Sequence, residues 1–167
     1  TIGNAGDSLL GGTYTDATDG NVTATNNALT LNKMDSNGTL VLAGTGAVTV
    51  QVTDAATGKA DVLNIIANVA ATDYNYGVVT VAEVETVNIT SNDTLEDDNS
   101  NGTVTTAEEA VEKATLTLTA DKATTVNVYG SADVDLTLTG STKVTLIDAS
   151  KLTGDLKVTS YNTTTSA

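Results

Sequence analysis

The chain has 167 residues and a formal net charge of −14, and it contains no Cys, His, Arg, Pro, Trp or Phe. Without Cys and His it lacks thiol nucleophiles, the usual zinc ligands and the commonest general base, which excludes most hydrolase mechanisms. Seven Lys against 21 acidic residues repel nucleic acid and favour divalent cations as ligands.

Threonine is abundant, with 34 residues, and Val, Asn, Asp and Gly are also common. Thr and Val are β-branched and suit a pleated surface, whereas Asn, Asp and Gly supply turns. The composition therefore predicts an all-β protein. No apolar run approaches the ~20 residues of a membrane-spanning helix, so we expect no membrane insertion.

The first predicted region, residues 1–92, contains short segments in which apolar and polar residues alternate. This period of two is typical of strands that bury one face. The apolar sets that we expect to face inward are Leu29/Leu31, Leu40/Leu42, Val48/Val50/Val52, Leu63/Ile65, Val79/Val81 and Val87/Ile89.

The second region, residues 93–114, interrupts the strands with an acidic loop that matches the calcium-loop pattern D-x-[DN]-x-[DN]-G-x5-E. Gly102 occupies the position of the sharp turn. The predicted ligands, which offer side-chain or backbone oxygens at loop positions 1, 3, 5, 7, 9 and 12, are Asp97, Asn99, Asn101, Thr103, Thr105 and Glu108. Because only two of these residues are charged, we expect a calcium affinity near the ~10⁻⁴ to 10⁻³ M of extracellular modules.

A short helix is predicted to follow within the same insertion, from Thr106 to Ala114. Thr105 or Thr106 can cap its first turn, and Glu108 and Glu109 lie where the helix dipole favours anions. Together, the loop and the helix resemble half of an EF-hand.

The third region, residues 115–167, repeats inward-facing apolar pairs about every ten residues, a spacing typical of all-β architecture. The pairs are Leu116/Leu118, Val126/Val128, Leu136/Leu138, Val144/Leu146 and Leu156/Val158. The whole chain is predicted to form ten to twelve strands.

Two architectures fit short strands at this spacing. In a parallel β-solenoid, two strands and two turns form a coil of about twenty residues, and coils stack on one another. In an antiparallel β-sandwich, consecutive strands pair. The regular period, the small apolar residues and the lack of a large aromatic core residue favour the solenoid, and the sandwich is the alternative.

An enzymatic role is not predicted. Paired carboxylates such as Asp133 and Asp135 are available for acid–base work, but strand periodicity places them together on one exposed face beside Lys143. A solvated charged face explains them better than a catalytic cleft does.

The segments AEVETVNITSND (82–93) and STKVTLIDASKLTGDLKVTS (141–160) resemble repeats of bacterial surface-layer (S-layer) proteins and of large RTX-type secreted adhesins. The resemblance implies secretion to the bacterial cell surface, a β-solenoid assembly and a two-dimensional lattice that depends on Ca²⁺. The chain departs from that pattern because it lacks glycine-rich nonapeptide repeats and carries the EF-hand-like insertion instead.

We therefore expect a non-catalytic, extracellular segment of a calcium-dependent lattice. Its partners would be further copies of the chain, with cell-surface polysaccharide as another candidate. The alternative function is a stalk or binding module of an RTX-type adhesin.

Overall fold

The computed structural model describes residues 28–70, 72–94 and 111–161, together with the backbone of short strands at 8–9, 12–15 and 21–24. The protein is all-β, as its composition predicts, and the described residues contain no helix. The strands are β1 (Ser8–Leu9), β2 (Gly12–Thr15), β3 (Asn21–Ala24), β4 (Leu29–Met34), β5 (Gly38–Leu42), β6 (Gly46–Val52), β7 (Val62–Ile66), β8 (Tyr74–Ala82), β9 (Thr86–Thr90), β10 (Lys113–Ala120), β11 (Thr125–Gly130), β12 (Asp133–Leu138), β13 (Leu146–Leu152) and β14 (Leu156–Ser160).

Consecutive strands alternate between two sheets. One sheet has the order β1-β3-β5-β7-β9-β11-β13, and the other has the order β14-β12-β10-β8-β6-β4-β2. Every pairing between these strands is parallel. The antiparallel sandwich alternative is therefore wrong, because each strand pairs with the strand two positions along the chain and none forms a hairpin with its neighbour. We call one strand of each sheet, with its two connections, a coil.

The register between paired strands aligns residues of the same type in adjacent coils. Leu116 and Leu118 of β10 align with Leu136 and Leu138 of β12, and all four are buried. Elsewhere in the described core, apolar residues also stack on apolar residues of the next coil, for example Val126 on Val87 and Ala120 on Val81. Small branched side chains fill most of this core, because each apolar row continues from coil to coil at the ~4.8 Å separation of paired strands. A large aromatic is nevertheless present, because Tyr76 is buried among the core residues.

The predicted apolar sets of the first region are all buried, as are the first three pairs of the third region. The pair Val144/Leu146 is wrong in its second member. Leu146 is 52% exposed, and Ile147 instead packs against the core, aligned with Val126. Val144 lies in a turn, in which its backbone N–H donates to the carbonyl oxygen of Ser141. This turn interrupts the alternation of apolar and polar residues before β13 begins. The last pair, Leu156/Val158, is only partly buried.

A ladder of asparagine side chains runs along the outer face of the odd-numbered sheet. The Nδ2 of Asn127 donates to Oδ1 of Asn88 at 2.8 Å, and Nδ2 of Asn88 donates to Oδ1 of Asn64 at 2.8 Å. Asn64 in turn donates to the backbone oxygen of Asn37 at 2.8 Å. In-register stacking thus satisfies amide groups with one another and holds adjacent coils together.

The insertion lies between β9 and β10, and both sheets continue past it. Strand β10 pairs directly with β8, and β11 pairs directly with β9. The predicted helix is wrong at its C-terminal end, because Lys113 and Ala114 belong to β10 and Val111 and Glu112 are not helical. The alternating sequence KATLTLTA explains this, since its apolar residues continue the core rows of the sheet. The rest of the predicted helix lies outside the described residues.

Candidate calcium loop and its base

The predicted calcium ligands all lie outside the described residues: Asp97, Asn99, Asn101, Thr103, Thr105 and Glu108. The structure does describe the two chain segments that flank them. These segments, residues 91–94 and 111–113, meet at one corner of the fold, where the chain passes from the odd-numbered sheet to the even-numbered sheet. We call this corner the loop base.

A hydrogen bond between its two segments closes the loop base. Oδ2 of Asp93 accepts from the backbone N–H of Glu112 at 3.1 Å. The N–H of Asp93 donates to Oγ of Ser131 at 3.1 Å, and Asp93 also forms a parallel bridge with Val69. One aspartate therefore connects the segment that precedes the loop, the segment that follows it and two neighbouring coils.

The preceding segment is also tied to the coil beneath it. The N–H of Asn92 donates to Oδ1 of Asn68 at 2.9 Å. The hydroxyl of Thr94 donates to the carbonyl oxygen of Val69 at 2.8 Å. Because these contacts repeat the coil-to-coil spacing, the chain is held in register up to the last residue described before the loop.

A glycine permits the close approach of the next coil at this corner. Gly130 has a φ of 117°, and a Cβ at that position would lie 1.9 Å from the carbonyl oxygen of Ser91. The hydroxyl of Ser91, fully buried, donates to the carbonyl oxygen of Ala67 at 2.7 Å. Three successive coils therefore contact one another directly behind the loop base.

Beside the loop base, Lys113 forms an ion pair with Asp73 at 2.7 Å between Nζ and Oδ2. The backbone N–H of Lys113 also donates to Oδ1 of Asp73, at 2.9 Å. The hydrogen bond from the Lys113 side chain is the largest cause that lowers the pKa of Asp73, and the same contact raises the pKa of Lys113. Both side chains are substantially exposed, so solvent weakens the pair.

A shallow groove of about 350 Å³ continues from Lys113 across the outer face of the even-numbered sheet. It is lined by Asp133, Asp135, Asp155 and Lys157, among others. The carboxylate of Asp135 pairs with Nζ of Lys157 at 2.8 Å, so its lysine partner is Lys157 and not the Lys143 suggested by the sequence. Oδ1 of Asp133 accepts from the N–H of Asp155 at 2.7 Å.

The carboxylate of Asp135 therefore pairs with a lysine, and that of Asp133 accepts a hydrogen bond from a backbone N–H group. Within the ranges that the structure describes, no three acidic side chains lie together in a way that could hold a metal ion. The loop base can position the ends of the predicted calcium loop and adds Asp93 and Asp73 as nearby negative charges, but it supplies no complete metal site of its own.

Sequence reasoning did not single out Asp73, Ser131 or Glu112 as residues that frame the loop. Asp73 is 40 residues from Lys113 in the chain, and Ser131 is 38 residues from Asp93. No local pattern brings such residues together. Only the spacing of the coils could have indicated that the turns before β8, β10 and β12 lie above one another.

Comparison with family models, with curated proteins and with solved structures found no match to this chain. In the part of the chain that is described, no helix is long and apolar enough to span a membrane.

Proposed function

We propose that this chain is a non-catalytic structural segment of a calcium-dependent lattice on the bacterial cell surface, built as a parallel β-solenoid. The solenoid reading is supported by the alternation of consecutive strands between two parallel sheets. Coils of this kind bury a continuous core and form a stiff element, as structural repeat proteins do.

The calcium ion belongs to the loop at residues 97–108. Asp97 and Glu108 supply carboxylates, Asn99 and Asn101 supply amide oxygens, and Thr103 and Thr105 complete the shell. Calcium offsets the repulsion among these carboxylates and their acidic neighbours, so binding of the ion favours their convergence around it. The chain's net charge of −14 makes an external divalent cation a natural partner.

The observation that carries the proposal is that both sheets pass the insertion without a break while Asp93 and Glu112 close its base. The pairing of the described strands on either side of the insertion therefore continues directly from β8 to β10 and from β9 to β11. An insertion of this kind can govern contacts with neighbouring molecules while the scaffold stays unchanged. Partners in this role are further copies of the chain, and cell-surface polysaccharide is a second candidate.

The alternative function is a stalk or binding module of a secreted RTX-type adhesin. The same stack of coils supports it, because a stiff stack can space a binding site away from the cell. In that role calcium would order the loop without causing assembly into sheets.

Calcium titration by calorimetry tests the loop, and electron microscopy tests the assembly. We expect the parent chain to bind calcium and the Asp97→Asn/Glu108→Gln variant to lose the binding heat. The Asp35→Asn/Asp54→Asn variant is the matched control, because it removes two charges from exposed residues far from the loop in sequence. Ordered sheets that require calcium support the lattice, isolated rods support the stalk, and no binding heat in the parent contradicts both calcium roles.

A further inference from the structure

The turn between β6 and β7 buries a carboxylate. Asp61, the last residue before β7, is only 9% exposed. Its Oδ2 is closed to solvent, and the described residues supply no hydrogen-bond donor to it. Gly58 leaves room for this oxygen, since a Cβ at that position would lie 1.9 Å from it. Burying a carboxylate oxygen without a partner is costly, so its charge needs to be offset by another group.

A second carboxylate from the next coil contacts Asp61. Oε2 of Glu85 accepts from the backbone N–H of Asp61 at 2.9 Å, and this contact is partly buried. The N–H of Thr86 donates to the carbonyl oxygen of Asp61 at 3.1 Å, which holds the two turns in register. Asp61 and Glu85 are therefore neighbours in one row that crosses the coils. We call these two residues the acidic pair.

The same row continues with threonines in the next two coils. The register of β9, β11 and β13 aligns Glu85 with Thr124, and Thr124 with Thr145. The hydroxyl of each threonine donates at 3.4 Å to the carbonyl oxygen of the preceding coil. An ionised carboxylate cannot do this, because it has no proton to donate. The acidic pair thus adds negative charge to a row that already presents carbonyl oxygens.

No described lysine forms an ion pair with the acidic pair. The ion pairs of the described residues are Lys113–Asp73, Lys122–Glu83 and Lys157–Asp135. Two neighbouring carboxylates repel each other, and the repulsion is stronger in a buried site than in water. A bound cation can remove this repulsion and also give the Oδ2 of Asp61 a partner.

We propose that the acidic pair binds a calcium ion through Oδ2 of Asp61 and the carboxylate of Glu85. Calcium approaches carboxylate oxygens to roughly 2.3–2.6 Å, closer than a hydrogen-bonded water does. A third carboxylate is not required, because backbone carbonyl oxygens and water complete many calcium shells. The ion would join the turns of two adjacent coils. The proposal goes beyond the calcium loop and does not depend on it, because both residues lie outside residues 97–108.

Metal content tests the site directly. A buried ion leaves only when the turn opens, so we expect it to stay bound during dialysis against metal-free buffer and to add no heat when the loop is titrated. The loop, with its expected affinity near ~10⁻⁴ to 10⁻³ M, releases its ion in the same dialysis. By plasma mass spectrometry we expect about one calcium per chain in the parent and in Asp97→Asn/Glu108→Gln. Asp61→Asn should retain less than about a tenth of that amount.

Urea denaturation in calcium and in EDTA tests the site by the sign of the effect. All variants carry Asp97→Asn/Glu108→Gln, so that the loop contributes nothing. In calcium, Asp61→Asn should have a lower midpoint than this background, because it loses the ion. In EDTA it should have the higher midpoint, because it removes a buried charge that has no partner. Asp54→Asn removes an exposed carboxylate from the same turn and should keep the response of the background to calcium.

Glu85→Gln provides a second test if Asp61→Asn does not fold. Its amide oxygen can still accept from the N–H of Asp61, but the charge is lost, so it should also release the ion. A parent that holds no calcium after dialysis overturns the proposal, as does an Asp61→Asn or Glu85→Gln variant that holds as much as the parent. Asp61→Asn with the higher midpoint in both buffers would show that Asp61 binds no ion.

The calcium loop and the acidic pair fail separately. Titration heat that depends on Asp97 and Glu108, in a chain that retains no calcium after dialysis, supports the loop and overturns the acidic pair. Retained calcium that depends on Asp61, in a chain that gives no titration heat, supports the acidic pair and contradicts the loop.

Discussion

The carboxylate of Asp93 accepts a hydrogen bond from the backbone N–H of Glu112 at 3.1 Å, across 19 positions of the chain. These residues flank the predicted calcium loop on its two sides. The contact holds together the two described segments that flank the loop. A loop whose ends are already held loses less conformational freedom when it closes around calcium.

We predict that Asp93→Ala weakens calcium binding roughly tenfold, because a charged hydrogen bond worth about 1.5 kcal/mol no longer holds the loop ends together. Asp93→Asn is the matched variant, since its amide oxygen can still accept from Glu112 while the charge is lost. Calorimetric titration should show a smaller loss for Asp93→Asn. Equal losses in the two variants would mean that charge, and not closure of the loop base, is what Asp93 contributes.

The asparagine ladder predicts a stabilising substitution. Asp148 aligns with Asn127 in the next coil, and a carboxylate has no N–H to donate to the amide oxygen of Asn127. We expect Asp148→Asn to extend the ladder and raise the free energy of unfolding by about 0.5 to 1.5 kcal/mol, measured by urea denaturation. The Asn oxygen can keep the contact with the Ser150 N–H that Asp148 makes at 2.9 Å. Asp35→Asn, which removes an equal charge at an exposed position, should gain less.

The turn between β6 and β7 contains a glycine that a side chain cannot replace without cost. A Cβ on Gly58 would lie 1.9 Å from Oδ2 of Asp61, a buried oxygen for which the described residues supply no hydrogen-bond donor. We expect Gly58→Ala to lower the free energy of unfolding by about 1 to 3 kcal/mol. Adding Asp61→Ala should restore most of the loss, because it removes the clashing carboxylate. Additive effects in this double-mutant cycle would contradict the contact.

The ion pair between Asp73 and Lys113 predicts a pH dependence on the acid side. The pKa of Asp73 is lowered in the folded protein, so its contribution to stability is fully present above the ordinary Asp pKa of about 3.9 and is lost as pH falls through the lower folded value. Asp73→Asn should therefore lower the urea midpoint near neutral pH but match the parent near pH 2. Asp35→Asn supplies the control for lost charge. A deficit in Asp73→Asn that persists at the lowest pH would show that the pair is not its cause.

The register of β13 predicts opposite outcomes for two adjacent residues. Ile147 packs against the core, whereas Leu146 is 52% exposed. We expect Ile147→Ala to cost about 2 kcal/mol of unfolding free energy and Leu146→Ala to cost less than about 0.5 kcal/mol. Urea denaturation of the two variants measures both. If Leu146→Ala lost more unfolding free energy than Ile147→Ala, Leu146 would face the core, as the sequence predicts.

Much of the fold could be predicted from local pattern. The alternating sets from Leu29/Leu31 to Leu136/Leu138 are buried as predicted, because an unbroken period of two fixes which face of a strand is apolar. The prediction failed at Leu146 and at the end of the helix, where Lys113 and Ala114 belong to a strand. In both places a turn or an insertion interrupts the alternation, and the alignment with the next coil sets the register instead.

The sequence by itself determined the all-β class, most of the core residues and the calcium pattern at Asp97–Glu108, because each depends on residue type and short spacing. Only the tertiary structure decided that consecutive strands belong to different parallel sheets and that Asp93, Ser131 and Glu112 meet at one corner. A period of two shows which side of a strand is buried but carries no information about which strand lies beside it. That choice depends on the stacking of entire coils, which brings together residues 20 to 40 positions apart.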